Sequence, residues 1–232
     1  MKVIGHRGAP SLKHENTLDS FRIALEHNVD GIELDVQLSQ DNQLVIFHDL
    51  HTYSLNNKHD LIKNKSFFEL QKLAIQVPIF TLEDILKFFP PHKELHIEIK
   101  SNEIFNHIII NKIYHLVAKY KLVSQTIFSS FNPFVLLELN NLFPDVKIGL
   151  LWTQCPDEPW FITHYSYDKI LPYSFHASIE YITPDIGEWV KSKNIKLYCY
   201  TINNANQLKK AKLLNAEGIF SDYPNILNQQ TF

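Results

Sequence analysis

The sequence predicts an α/β protein, a single-domain (β/α)8 barrel of the TIM type spanning residues 1–232. Three observations predict it. Strand-like and helix-like runs alternate from end to end, the pattern of a parallel sheet with helical crossovers. Setting aside one hairpin strand leaves eight parallel strands, the count of a closed barrel. The 232 residues also suit one barrel domain.

The elements follow in order. Strand candidates are 2–6, 30–37, 44–48, 95–100, 126–130, 147–152, 173–178, 196–202 and 218–222, with 173–178 the faintest pattern. The 44–48 run is the extra strand, folding back on 30–37 across Gln40-Asp41-Asn42. Amphipathic stretches predict helices over Thr17–Asn28, Thr81–Phe89, Glu103–Tyr120, Pro133–Phe143, Pro184–Lys193 and Asn206–Asn215. Asn16-Thr17 caps the first of these, and Thr81 with Asp84 three residues on has the spacing of a capping box. Residues 49–79 form the largest irregular stretch, expected as a short insertion over one rim.

Composition narrows the function. Hydrophobic residues make up 45% and charged residues 20%, ordinary globular usage. A net charge of −3 offers no basic face, so neither nucleic acid nor an anionic membrane is an expected partner. Cys155 and Cys199 lack metal-ligand spacing and are expected reduced and buried. Lys2 runs straight into the first strand, leaving no room for a leader, and no apolar run reaches membrane-spanning length. The expectation is a cytoplasmic protein without stable membrane anchoring.

Gly31-Ile32-Glu33-Leu34-Asp35-Val36-Gln37 carries the most information. Side chains alternate along a strand, so Ile32, Leu34 and Val36 face the helices while Glu33, Asp35 and Gln37 face the barrel interior. Branched apolar residues normally fill that interior, and unpaired carboxylates there cost several kcal/mol or more. Leu95-His96-Ile97-Glu98-Ile99-Lys100 repeats the pattern with His96, Glu98 and Lys100 inward. Glu33, Asp35 and Glu98 together are three hard oxygen ligands, a set suited to one divalent cation, Mg²⁺ or Ca²⁺ with Mn²⁺ as a third candidate. The plainer alternative is an inward salt-bridge cluster, such as Glu98 with Lys100.

His6 and His48 each close a strand, on the rim where barrel active sites are built. Among twelve histidines, position rather than type singles them out. Two imidazoles flanking a cation-bound substrate can serve as general base and general acid. Of 22 basic residues only Arg7 and Arg22 are arginine. An arginine at a strand end favours bidentate phosphate recognition, with an ordinary ion pair as the alternative. Gly8 beside it lets the backbone pass close to a ligand, and Arg22, mid-helix, belongs to the surface.

Together these residues resemble the glycerophosphodiester phosphodiesterase family, within the wider group that includes phosphatidylinositol-specific phospholipases C. The resemblance runs through His6-Arg7-Gly8, Glu15-Asn16-Thr17, Glu33-Leu34-Asp35-Val36, His48-Asp49, Ile97-Glu98-Ile99-Lys100, Tyr200-Thr201-Ile202-Asn203 and Gly218 to Pro224, nearly the whole chain. It implies a metal-dependent hydrolase of small glycerophosphodiesters, with a cation on Glu33, Asp35 and Glu98 and His6 and His48 as the acid–base pair. Arg7 and Lys100 then lie near the phosphate, while Glu15 and Asn16 organise the rim. Tyr200 stands where the family has tryptophan, at the wall meeting the alcohol. The usual Arg-Thr after His-Asp is absent, Ser54-Leu55 lying about there, Phe80 replaces a common proline, and Ser221 replaces threonine. Three other readings remain: a lysophospholipase D or phospholipase C-like enzyme acting on lipid, a non-catalytic barrel binding phosphodiesters or a protein, and a metal-dependent enolising barrel.

Overall fold

The computed structural model describes residues 1–153 and 168–227. Eight parallel strands close into a barrel: β1 (Lys2–Gly5), β2 (Gly31–Leu38), β5 (Glu94–Ile99), β6 (Thr126–Ser130), β7 (Lys147–Trp152), β8 (Ser174–Ser178), β9 (Lys196–Tyr200) and β10 (Gly218–Ser221). Closure comes from β1, which pairs with both β10 and β2. The β3 strand (Leu44–Ile46) runs antiparallel to β2, as the turn residues predict. A two-residue strand that the sequence pattern does not reveal, β4 (Phe80–Thr81), extends that hairpin by pairing with β3.

The helices are α1 (Leu18–Glu26), α2 (Tyr53–Asn56), α3 (Phe67–Leu73), α4 (Leu82–Leu86), α5 (His107–Lys119), α6 (Pro133–Leu142), α7 (Pro184–Ser192), α8 (Ala205–Leu213) and α9 (Pro224–Leu227). Local chemistry places their starts. Thr17 caps α1 by accepting from the Ser20 N–H, and Thr81 and Asp84 form a full capping box on α4. Arg22 lies on the exposed face of α1, its guanidinium 5.0 Å from the Phe88 ring centre.

Strand alternation sorts the core into two compartments. Ile32, Leu34, Val36, Leu95, Ile97 and Ile99 are fully buried in the cluster between sheet and helices. Ile4, Ile127, Tyr198 and Phe220 form a separate cluster with Tyr173 and Tyr200 packed against it. Residues 49–79 hold α2, α3 and a 3₁₀ turn, and they carry most of a third cluster, Val45, Ile62, Leu70, Ala74 and Ile79. Phe67 and Leu70 pack into it, whereas Phe68 on the same helix is exposed. Cys199 is buried and free; Cys155 lies outside the described residues. No helix among the described residues is long and apolar enough to cross a membrane.

Candidate active site

The carboxylates take their positions from strand pairing. β2 and β5 are in parallel register with Glu33 opposite His96 and Asp35 opposite Glu98. One ligand oxygen from each of Glu33, Asp35 and Glu98 lies within 4.8 Å of the others, all on the barrel's inner face. Gln37, next on that face, donates its Nε2–H groups to the backbone oxygens of Phe47 and Asp49 at 2.7 and 2.8 Å. It thereby pins the segment carrying His48.

Three carboxylates this close cannot all stay ionised without a compensating cation. Burial and the neighbouring Asp35 and Glu98 charges push Glu33 up to about 8, despite His6 and Arg7 nearby. Burial also pushes Asp35 up, but Lys100 and Arg7 outweigh it and hold that carboxyl at about 2. Glu98 is raised, by burial and then by Asp35. Asp35 Oδ1 is buried and receives no hydrogen bond, although the Lys100 ammonium lies 3.3 Å away. Hard oxygen donors, crowded like charge and an uncommitted buried oxygen fit a divalent cation. The alternative salt bridge is also present: Lys100 Nζ donates to Glu98 Oε1 at 2.7 Å.

Arg7 adopts the left-handed backbone region at φ 53°. That strained turn aims its N–H at Glu33 Oε2, 2.9 Å away. Its guanidinium donates to Glu15 Oε1 at 2.9 Å and lies 3.3 Å from Asp35 Oδ2, so the ion pair and the pocket-wall position coexist. What passes close to Gly8 is α1: a Cβ there would meet Ser20 Oγ at 2.4 Å. Asn16 donates to Asp35 Oδ2 at 2.8 Å.

Each rim histidine has its own carboxylate. Because ionised carboxylates only accept, the ring Nδ1–H donates in both. His6 donates to Asp222 Oδ1 at 2.7 Å, and Asn203 Nδ2 donates to Asp222 Oδ2 at 2.7 Å. His48 donates to Asp49 Oδ1 at 2.9 Å, and the Ser54 hydroxyl to Asp49 Oδ2 at 3.1 Å. This leaves Nε2 of each ring as the proton acceptor or donor. Burial alone lowers the His6 pKa, but Asp222 and Glu33 outweigh it and raise it.

These groups share one pocket of about 200 Å³, lined by His6, Arg7, Glu33, His48, Glu98, Lys100 and Tyr200. Tyr200 meets it with its ring, since its hydroxyl donates to the Trp152 carbonyl at 2.8 Å. Sequence reasoning assigned no role to Asp49, Asn203 or Asp222, nor to Phe131 and His176, which line the same pocket. Asp49 and Asp222 each directly follow a strand-end signature, a signal that was available. His176 was legible too: Ser174, His176 and Ser178 alternate with Phe175 and Ala177.

Residues 6–226 match the sequence model of the Glycerophosphoryl diester phosphodiesterase family. The chain is 31% identical over 235 residues to the glycerophosphodiester phosphodiesterase of Caldanaerobacter subterraneus subsp. tengcongensis, covering 97% of this chain and 95% of that protein. Among solved structures, it is similar to the glycerophosphodiester phosphodiesterase of Thermotoga maritima. That pair has a TM-score of 0.81 and 27% identity, covering 98% of this chain and 96% of the other. It is also similar to an Oleispira antarctica phosphodiesterase in complex with the product sn-glycerol-3-phosphate. Here the TM-score is 0.84 and the identity 25%, covering 98% and 95% of the two chains.

Proposed function

This chain belongs to the glycerophosphoryl diester phosphodiesterase family, and we propose that it hydrolyses small glycerophosphodiesters, such as glycerophosphocholine and glycerophosphoethanolamine, to sn-glycerol 3-phosphate and the free alcohol. The observation that carries this reading is the single pocket in which two carboxylate-oriented imidazoles meet a carboxylate cluster and two cations. The Oleispira antarctica relative, a phosphodiesterase holding sn-glycerol-3-phosphate as product, supports the product assigned here.

Glu33, Asp35 and Glu98 would hold a divalent cation, Mg²⁺ or Ca²⁺, which when bound would supply Lewis-acid chemistry at the phosphate. Arg7 and Lys100 line the phosphate subsite and oppose the charge that grows on its oxygens in the transition state. One of His6 and His48 accepts a proton at Nε2 from the attacking hydroxyl; the other delivers one to the departing alcohol. Their carboxylates fix the ring tautomers, and a well-placed acid–base group contributes roughly 10²–10⁴ in rate. The Tyr200 ring forms the wall that meets the alcohol. In this reading residues 49–79 are a rim insertion, supported by the Ser54 hydroxyl holding Asp49 beneath His48.

The test is glycerol 3-phosphate release from both substrates with Mg²⁺ or Ca²⁺, repeated with EDTA. Cation-dependent release is expected, abolished in His6→Ala and in His48→Ala while both variants stay folded. No release from folded, cation-binding protein overturns the proposal, and an active single variant removes that histidine from the mechanism.

A further inference from the structure

The two rim histidines are held unequally. His6 directly follows β1, which is paired on both sides, and its N–H donates to the Ser221 carbonyl at 3.0 Å. Its side chain is 18% exposed, against 35% for His48. His48 lies two residues past the end of β3, where packing fixes its ring less. Its position therefore depends more on how its backbone is tied down.

That backbone has few anchors. The Phe47 N–H donates to the Asp35 carbonyl at 3.1 Å, and beyond Asp49 the Leu50 carbonyl accepts from the Ile62 N–H at 2.9 Å. Between these points, among the described residues, the backbone of Phe47, His48 and Asp49 makes only two further hydrogen bonds. Gln37 supplies both, its Nε2 lying 2.7 Å from the Phe47 carbonyl oxygen and 2.8 Å from that of Asp49. Both partners are acceptors and an amide nitrogen only donates, so the orientation of the Gln37 side chain is settled. The two carbonyls stand one residue to either side of His48. Gln37 is itself buried, on the same inward face of β2 as Glu33 and Asp35, yet it is not part of the catalytic pocket's lining. One amide thus ties His48 to the strand that carries the carboxylate cluster.

Resting on the phosphodiesterase reading, we propose that Gln37 is a positioning residue for His48, setting where that imidazole stands over the substrate while His6 keeps its own supports. A group displaced by about 1 Å from its working position loses on the order of 10² in rate. The loss falls on kcat, because Gln37 touches neither the phosphate subsite of Arg7 and Lys100 nor the substrate.

The experiment compares wild type with Gln37→Met, a side chain of similar length without donors, on glycerophosphocholine. The expected result is a kcat lower by about 10²-fold, with KM and the Mg²⁺ requirement unchanged. Imidazole NMR signals of the metal-free protein, assigned with His6→Gln and His48→Gln, give a readout independent of turnover. In Gln37→Met the His48 signal is expected to shift or broaden and the His6 signal to stay. Where Gln37→Met does not fold, Gln37→Asn keeps the donors one methylene short of reaching both carbonyls, and the same pattern is expected. A folded variant with wild-type kcat overturns the inference, as does equal disturbance of both rings, the mark of general loosening. A raised Mg²⁺ requirement at unchanged kcat overturns it too, by moving the role of Gln37 to the cation. If wild type cleaves no glycerophosphodiester the phosphodiesterase reading falls, and the two ring signals alone decide whether Gln37 holds His48.

Discussion

Replacing Asp222 with Asn tests how His6 is held. The Asp222 carboxylate accepts from His6 through Oδ1 and from Asn203 through Oδ2, both at 2.7 Å. Asn203 cannot turn over freely, because its own Oδ1 accepts the Asp222 backbone N–H at 3.0 Å. An amide at this position has one oxygen to offer two donors. If that oxygen stays with Asn203, the NH₂ faces His6 Nδ1 and moves the ring proton to Nε2, the wrong tautomer. If it turns to His6, two NH₂ groups oppose each other, leaving a partly buried donor unpaired at about 1–3 kcal/mol. Either way the charged hydrogen bond, worth about 1.5–3 kcal/mol, is lost. Together these give about 2.5–6 kcal/mol, or a roughly 10²–10⁴-fold lower kcat. At Asp49 the second partner is the Ser54 hydroxyl, which can accept as well as donate. In Asp49→Asn the new amide can then keep its oxygen on His48 and give its NH₂ to Ser54, so only the charge is lost, at roughly 10–100-fold. Saturating kinetics on a glycerophosphodiester, with thermal melts to verify folding, measure the difference. Asp222→Asn within tenfold of wild type, or no slower than Asp49→Asn, refutes the reasoning.

Two further predictions concern the barrel interior. Burial opposes the Glu94 charge, but hydrogen bonds from His96 and Lys2 outweigh it and hold the carboxyl at about 2, against 4.5 ordinarily. Burial holds the His96 pKa below its ordinary value; its ring is hydrogen-bonded to Glu94 at 3.3 Å, as is the Lys2 ammonium at 2.6 Å. Because the folded pKa is depressed, this stabilisation is present above about pH 4.5 and fades as pH falls toward 2. Glu94→Gln is expected to cost about 1–3 kcal/mol at about pH 7 and progressively less below about pH 4.5 in urea unfolding; a pH-independent cost contradicts this. Gly149→Ala places a Cβ 2.6 Å from His176 Cε1, a ring held by Ser174 Oγ at 2.9 Å and packed on Tyr198 and Phe220. The expected overpacking cost is about 1–3 kcal/mol, read as a lower Tm and largely relieved by a second change, His176→Ala; an unchanged Tm in Gly149→Ala contradicts the clash.

By itself the sequence determined the barrel and the inward face of its β2 and β5 strands. Both follow from local periodicity: a two-residue alternation decides which side of a strand a group faces, whatever that strand pairs with. That is why Glu33, Asp35, Gln37, Glu98 and Lys100 were legible as inward groups, and His6 and His48 as groups at strand ends. Capping at Thr17 and Thr81 was legible for the same reason, since its partners lie within one helical turn. Tertiary structure alone decided which side chains meet. His6 and Asp222 are 216 positions apart and come within 2.7 Å only because β1 and β10 close the barrel. His176 is seated because a neighbouring strand offers Gly149 instead of a side chain. The β4 strand belongs to the same class. Each depends on how separate segments are brought together, and no periodicity within one segment encodes that distance.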